Sequence, residues 1–173
     1  NVKDSYRVGL EIDANVKVSK KFNINQNLTI SSNKIENFIL DRDGAQRDIG
    51  TTNIAFSPNI IAGNTLSYNL TESFQVSLLS KFVGEQYLSN TDTEASKLEN
   101  YFTSDLNFIY ELKTNSIFKS IVFSGVVNNI FDKEYVDRGY TYLDNWTGPT
   151  SFEVQGYYPQ ATRNFLVGMT IKF

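Results

Sequence analysis

Apolar and polar residues alternate along most of this chain with a period of two. The cleanest case comes first. Tyr6, Val8, Leu10, Ile12, Ala14, Val16 and Val18 are apolar or aromatic, and between them stand Arg7, Gly9, Glu11, Asp13, Asn15 and Lys17. Successive strand side chains point to opposite faces, so this is a strand with two different environments. It exceeds the about 5–6 residues usual in globular sheets. It reaches the roughly 9–11 residues that a tilted strand needs to cross a membrane.

A short turn near Ser19-Lys20-Lys21 leads to a weaker strand over about 25–38, where Leu28 and Ile30 alternate with Asn27, Thr29 and Ser31. After a polar loop, a third strand starts near Pro58, where a missing N–H costs little. Ile60, Ala62, Leu66, Tyr68 and Leu70 share a face that Asn64 interrupts. A fourth strand carries Phe74, Val76, Leu78 and Phe82 on one face, with Leu79 and Val83 on the other. A fifth carries Phe102, Leu106, Phe108, Tyr110 and Leu112 against Thr103, Asp105, Asn107 and Glu111, with Ile109 the exception. A sixth, about 121–130, is apolar on both faces, which leaves its phase open. The seventh ends the chain, with Phe165, Val167, Met169, Ile171 and Phe173 alternating with Leu166, Gly168, Thr170 and Lys172.

These seven segments predict an all-β, purely antiparallel sheet with almost no helix. The connections alternate short and long: 19–24, 39–53, 71–73, 88–100, 113–119 and 131–162. That rhythm is the one shown by outer-membrane barrels, with short turns on one side and long loops on the other. Such barrels have an even number of strands, and an open sheet in lipid leaves two unpaired edges. Seven strands are therefore expected to be part of a larger barrel, or else not to lie in a membrane.

Composition narrows the chemistry. Of 173 residues 40% are hydrophobic and 14% aromatic, with ten Tyr and thirteen Phe. No apolar run approaches the roughly 18 residues of a membrane helix. The start at Asn1 is polar and alternating, without a signal peptide, as expected of a mature chain or a fragment. A net charge of −3 argues against nucleic acid as a partner. Cysteine and histidine are absent, which removes thiolate zinc sites, Cys/His nucleophiles and imidazole bases. No catalytic residue, metal site or cofactor is expected. Asp41-Arg42-Asp43-Gly44 lacks the later carboxylates of a calcium loop and reads as a solvated turn. Asp92, Glu94 and Glu99 read as a solvated loop.

Several stretches carry a family resemblance. Val127-Asn128-Asn129-Ile130-Phe131-Asp132-Lys133-Glu134-Tyr135 resembles the penultimate-strand motif of TonB-dependent outer-membrane receptors. Tyr157-Tyr158-Pro159-Gln160, then Arg163-Asn164-Phe165 and a terminal Phe173, resembles their closing strand. The stretch from Phe82 to Thr91, with Leu98, Tyr101, Asp105 and Leu106 beyond, is similar to another part of these barrels. Order and spacing agree over about 54–173. Ile130, Ala161 and Ser89 depart from the commoner Leu, Gly and Asp. The resemblance implies that 1–173 is the C-terminal portion of a transmembrane β-barrel of about 22 strands. The plug domain, and the segment that contacts the TonB energy-coupling protein, would lie outside this chain. It also implies that Phe165, Val167, Met169, Ile171 and Phe173 form the signal read by the barrel-assembly machinery.

For ligand contact the best stretch is Asp137 to Trp146. Its Tyr and Trp rings offer stiff amphipathic surface, and its arginine suits a carboxylate or phosphate. Arg138, Tyr140, Tyr142 and Trp146 are the candidates; packing within the loop, or an interfacial aromatic girdle, is the plainer reading. Arg7, Glu11, Asp13 and Lys17 are expected to face the barrel lumen, with Tyr6, Val8, Leu10, Ile12, Val16 and Val18 towards outer-membrane lipid. The resulting expectation is part of an active outer-membrane transporter for a scarce solute such as a siderophore complex, a cobalamin or a glycan. The alternative is a soluble β-sandwich module that binds carbohydrate or another ligand. An outer-membrane enzyme is disfavoured by the absence of histidine.

Overall fold

The period-two segments become long strands lying side by side in chain order. The computed structural model describes residues 4–114, 117–144 and 152–173. Its strands are β1 (Asp4–Lys17), β2 (Phe22–Glu36), β3 (Ile39–Arg42), β4 (Ala45–Asp48), β5 (Thr52–Asn53), β6 (Ile60–Asn69), β7 (Phe74–Val83), β8 (Gln86–Tyr87), β9 (Lys97–Leu98), β10 (Tyr101–Lys113), β11 (Ser120–Asn128), β12 (Val136–Asp144), β13 (Phe152–Pro159) and β14 (Asn164–Lys172). The main sheet runs β1-β2-β6-β7-β10-β11-β14, with β5 added to β2. Every strand pair among the described residues is antiparallel. The helical element among them is one 3-10 turn, Glu94–Ser96. Among the described residues no second large sheet packs on the first: the remaining strands form three two-stranded sheets, β3-β4, β8-β9 and β12-β13. A sandwich is therefore not the architecture.

Register turns the alternation into two faces. Leu10 lies opposite Ile30, and Ile30 opposite Ile60. Ile24, Leu66, Leu78, Leu106, Val127 and Phe165 form an apolar row across six strands. Phe123 opposite Tyr110 and Met169 fixes the phase of β11, which both-face apolarity had hidden. The Asn64 interruption also has an explanation. Gln26, Asn64, Ser80 and Ser104 are successive cross-strand partners, so four polar residues share one row of the apolar face. Within it the Ser80 and Ser104 hydroxyls are hydrogen-bonded at 2.9 Å.

The opposite face is mainly polar and cross-linked, although Ile61, Leu79, Ile109, Val122, Val126 and Leu166 also lie on it. Arg7 donates to Asn33 Oδ1 and to Ser57 Oγ, Asn15 pairs with Asn25, and Ser67 with Ser77. Ser120 donates to Glu111 at 2.6 Å, and Lys172 to the same carboxylate at 3.1 Å. The apolar intruder Val83 sits at the end of the sheet near the long connections. Ile35, Val83, Leu88, Leu98 and Tyr101 are the buried hydrophobic residues among those described.

Three expectations need correcting. Residues 131–162 are not a plain loop, because β12 and β13 form a hairpin there. Tyr157 to Pro159 belong to β13, not to the closing strand, which begins at Asn164. Asp92 is not a freely solvated loop residue, since its carboxylate holds Asn53.

Candidate functional site

All three long connections leave the same end of the sheet, and hydrogen bonds tie them into one cluster. The first holds the β3-β4 hairpin. Asp43 and Gly44 at its tip both have positive φ, 55° and 76°, as the type I′ two-residue hairpin turn requires. Asp41-Arg42-Asp43-Gly44 is thus a turn by backbone geometry. In the second, Asp92 accepts the Asn53 N–H at 2.9 Å on each oxygen, and the Asn53 carboxamide at 2.9 Å. Asn90 accepts the Ala55 N–H at 2.7 Å, and the Tyr87 carbonyl accepts that of Phe56.

The third connection starts and ends at one clasp. Asn129 and Asp132 adopt left-handed backbone, φ 50° and 57°, which Asn and Asp tolerate better than most residues. The buried Asn129 carboxamide donates to Lys133 O and accepts from Lys133 N. Its Nδ2 also reaches Ala161 O at 3.5 Å. Its backbone N–H donates to Asp105 Oδ1, and Asp132 accepts the Arg163 N–H. The resemblance motif is a strand exit that bends the chain out of the sheet. Behind it Tyr135 stacks on Tyr101, ring centroids 4.4 Å apart. Burial, then the charges of Asp137 and Asp105, push the Tyr135 phenol above its usual 10.0.

Between these ends stands the β12-β13 hairpin, whose two faces differ. One face packs on the second connection. Thr93 and Thr141 each donate to a different oxygen of Glu153, Tyr157 donates to Ala95 O, and Gln86 donates to Asp137 O. A cavity of about 190 Å3 opens beside the hairpin, lined by Leu40, Arg42, Thr91, Thr93 and Glu153 and by both Thr141 and Tyr142, so it borders both hairpin faces. Lys97, ion-paired with Glu85 at 3.0 Å and Glu94 at 3.7 Å, closes the base of the second connection.

The other face is aromatic and open. Tyr140 and Tyr142 lie nearly parallel, centroids 6.2 Å apart and 15° between planes. Tyr158 from β13 joins at 5.9 Å. All three are about half exposed. Arg138 continues the line, cross-strand from Tyr158, with its Nε 3.3 Å from Asp137 Oδ1. Of the four candidate ligand residues, the fold brings Arg138, Tyr140 and Tyr142 to one face; Trp146 lies outside the described residues. Tyr158 was missed, although its register on Arg138 makes it a neighbour. Arg7, Glu11, Asp13 and Lys17 share one face of β1, away from the hairpin. Phe165, Val167, Met169 and Ile171 share the apolar face of β14, and Phe173 meets Phe118 edge-on at 5.2 Å.

A single antiparallel sheet with short turns at one end, long knitted connections at the other and one apolar face is a barrel wall. The fold is that of the barrel portion of TonB-dependent receptors. Among solved structures, the chain is similar to the siderophore receptor PiuA from Acinetobacter baumannii, with a TM-score of 0.66, 17% identity, and 96% of this chain matched to 22% of that one. It is similar to the ferric yersiniabactin uptake receptor FyuA from Yersinia pestis, with a TM-score of 0.70, 17% identity, and 96% matched to 23%. It also resembles the ferric-catecholate import receptor Fiu from E. coli, with a TM-score of 0.64, 19% identity, and 95% matched to 20%. The chain thus spans about a fifth to a quarter of the receptors it matches. No family model and no curated sequence matches it.

Proposed function

We propose that this chain is the C-terminal part of the barrel of a TonB-dependent receptor in a bacterial outer membrane, importing a scarce solute. The observation that carries the reading is the apolar face, continuous through six strands, opposed by a mainly polar face whose strands are tied by side-chain hydrogen bonds. A soluble sheet with two such faces covers its apolar one with a second layer; here Val8, Leu10, Phe102, Phe165 and Met169 stay exposed, as suits a wall between lipid and a wet lumen. The likeness in fold to siderophore uptake receptors supports the same class. Tyr6, Val8, Leu10 and Ile12 then meet lipid, and Arg7, Glu11, Asp13 and Lys17 meet the lumen or a plug. The long connections lie outside the cell. Arg138, Tyr140 and Tyr142, with Trp146 beyond, form part of the ligand face. The solute is a siderophore complex, a cobalamin or a glycan.

The remaining partners follow from the reading: the rest of the barrel, a plug domain, the TonB protein acting through that plug, and the barrel-assembly machinery at β14. The test uses the full-length protein in its own cell. Its deletion should abolish growth on one limiting nutrient, and uptake of that nutrient should stop when the proton gradient is collapsed. Recovery of the full-length protein in the soluble fraction without detergent would overturn the reading.

A further inference from the structure

Tyr140 lies where only glycine permits it. Its cross-strand partner is Gly156. A Cβ at Gly156 would overlap the Tyr140 ring, meeting its Cζ and Cε1 carbons and its hydroxyl. The ring is thus laid flat across the neighbouring strand, and Gly156 is the floor beneath it. Tyr142 and Tyr158 flank that ring at 6.2 and 5.9 Å, and all three keep about half their surface free. An aromatic side chain in a strand ordinarily stands away from the sheet. Here its outer face is turned to solvent instead, between two further rings, with the exposed Arg138 guanidinium on the same strand face.

We propose that Gly156 is a specificity-determining position of the outer loop cluster. By leaving space for Tyr140 it makes Tyr142, Tyr140 and Tyr158 a platform that selects ligands presenting a flat ring face, aryl or sugar. This rests on reading that cluster as a ligand face. Gly156 is a positioning residue and touches no ligand itself. The methyl of alanine suffices to lift the ring, because it would overlap Cζ, Cε1 and the hydroxyl at the far end of the half-exposed Tyr140 side chain, which clears it by swinging away from the strand.

The test has two arms, both on the full-length receptor in detergent. In the first, 3-fluorotyrosine is placed at position 140 and its fluorine resonance is compared in wild type and Gly156→Ala. A changed shift, with the heat-modifiable mobility of the folded barrel retained, is expected; an unchanged shift overturns the positioning role whatever the ligand. In the second, three probes are bound: the ferric complex of 2,3-dihydroxybenzoate, maltoheptaose and ferrioxamine B, which lacks a ring face. One ring-bearing probe should lose about tenfold affinity in Gly156→Ala and in Tyr140→Leu, with no further loss in the double variant. Ferrioxamine binding should be unaltered. Equal losses for all probes, or additive losses in the double variant, overturn the specificity role. If no probe binds the wild type, the ligand-face reading fails and the platform selects nothing, while the fluorine shift still decides how Tyr140 is held.

Discussion

The Asp92 carboxylate grips Asn53 at three points, taking its backbone N–H on both oxygens and its side-chain amide on one, each at 2.9 Å. These residues belong to different long connections. Asp92 itself has left-handed backbone, φ 53°, which aims the carboxylate back at β5. A charged acceptor with several N–H partners is a strong tie.

Replacing Asp92 by Ala should therefore free the 88–96 segment from the sheet. Losing the acceptor leaves the Asn53 donors unmet, at a cost of about 1–3 kcal/mol. The expected outcome is faster amide exchange at Asn53 and Ala55, and new protease cleavage within 88–96. The heat-modifiable barrel should persist. Unchanged exchange at Asn53 would show that the tie is not made in solution.

Leu10 and Glu11 are neighbours on opposite faces, set against Ile30 and Thr29. If the Leu10 face meets lipid as proposed, arginine there at mid-depth costs about 2–4 kcal/mol, against little on a lumen face. Leu10→Arg in the full-length receptor should thus lower the yield of folded protein far more than Glu11→Arg. Equal yields would reverse the assignment of faces.

Phe173 offers a different test. Its ring meets Phe118 edge-on at 5.2 Å, beside the short connection before β11. β14 is an edge of the sheet and carries an apolar face; in the proposed barrel it would be a template for strand addition until it pairs with the closing strand. Deleting Phe173 should slow delivery of the receptor to the outer membrane, measured by pulse labelling. Delivery at the normal rate and amount would leave Phe173 as an ordinary interfacial aromatic.

The Lys97 amine is held above its usual 10.5, first by its hydrogen bond to Glu85, then by the fields of Glu85 and Glu94. A raised value means that the folded form binds the proton more tightly than the unfolded chain. Its contribution is complete below 10.5 and disappears as pH climbs through the raised value. With reductively methylated lysines, the Lys97 carbon resonance should titrate later in the wild type than in Glu85→Gln. Coincident titrations would mean that the pair is open in solution.

The long strands were legible where their two faces differ, as at Leu10/Glu11 and Phe108/Asn107; the second and fourth alternate less cleanly. The sequence withheld the phase of β11, where Val122 and Val126 oppose Ile121 and Phe123, because only pairing with Met169 and Ile171 separates the faces. The β12-β13 hairpin was hidden inside an apparent loop. Yet Tyr140 and Tyr142 already alternated with Gly139 and Thr141, and that pattern was the available signal. The grip of Asp92 on Asn53 had no local signature, since it joins positions far apart in the chain. Gly156 gains its meaning only from the ring of Tyr140 across the strand pair.

The clasp at Asn129 also bears on how such a chain can change. Its carboxamide bonds Lys133 and reaches Ala161, and Asp132 bonds Arg163, so the excursion is cinched at its root. Asn128 meets Asn164 in register whatever lies beyond the root. The hairpin is then an interchangeable cartridge: residues 136–159 could be exchanged for a longer or shorter graft while the wall keeps its strand alignment. Under the proposed function, selection on ligand capture and selection on insertion would act on separable stretches of one chain.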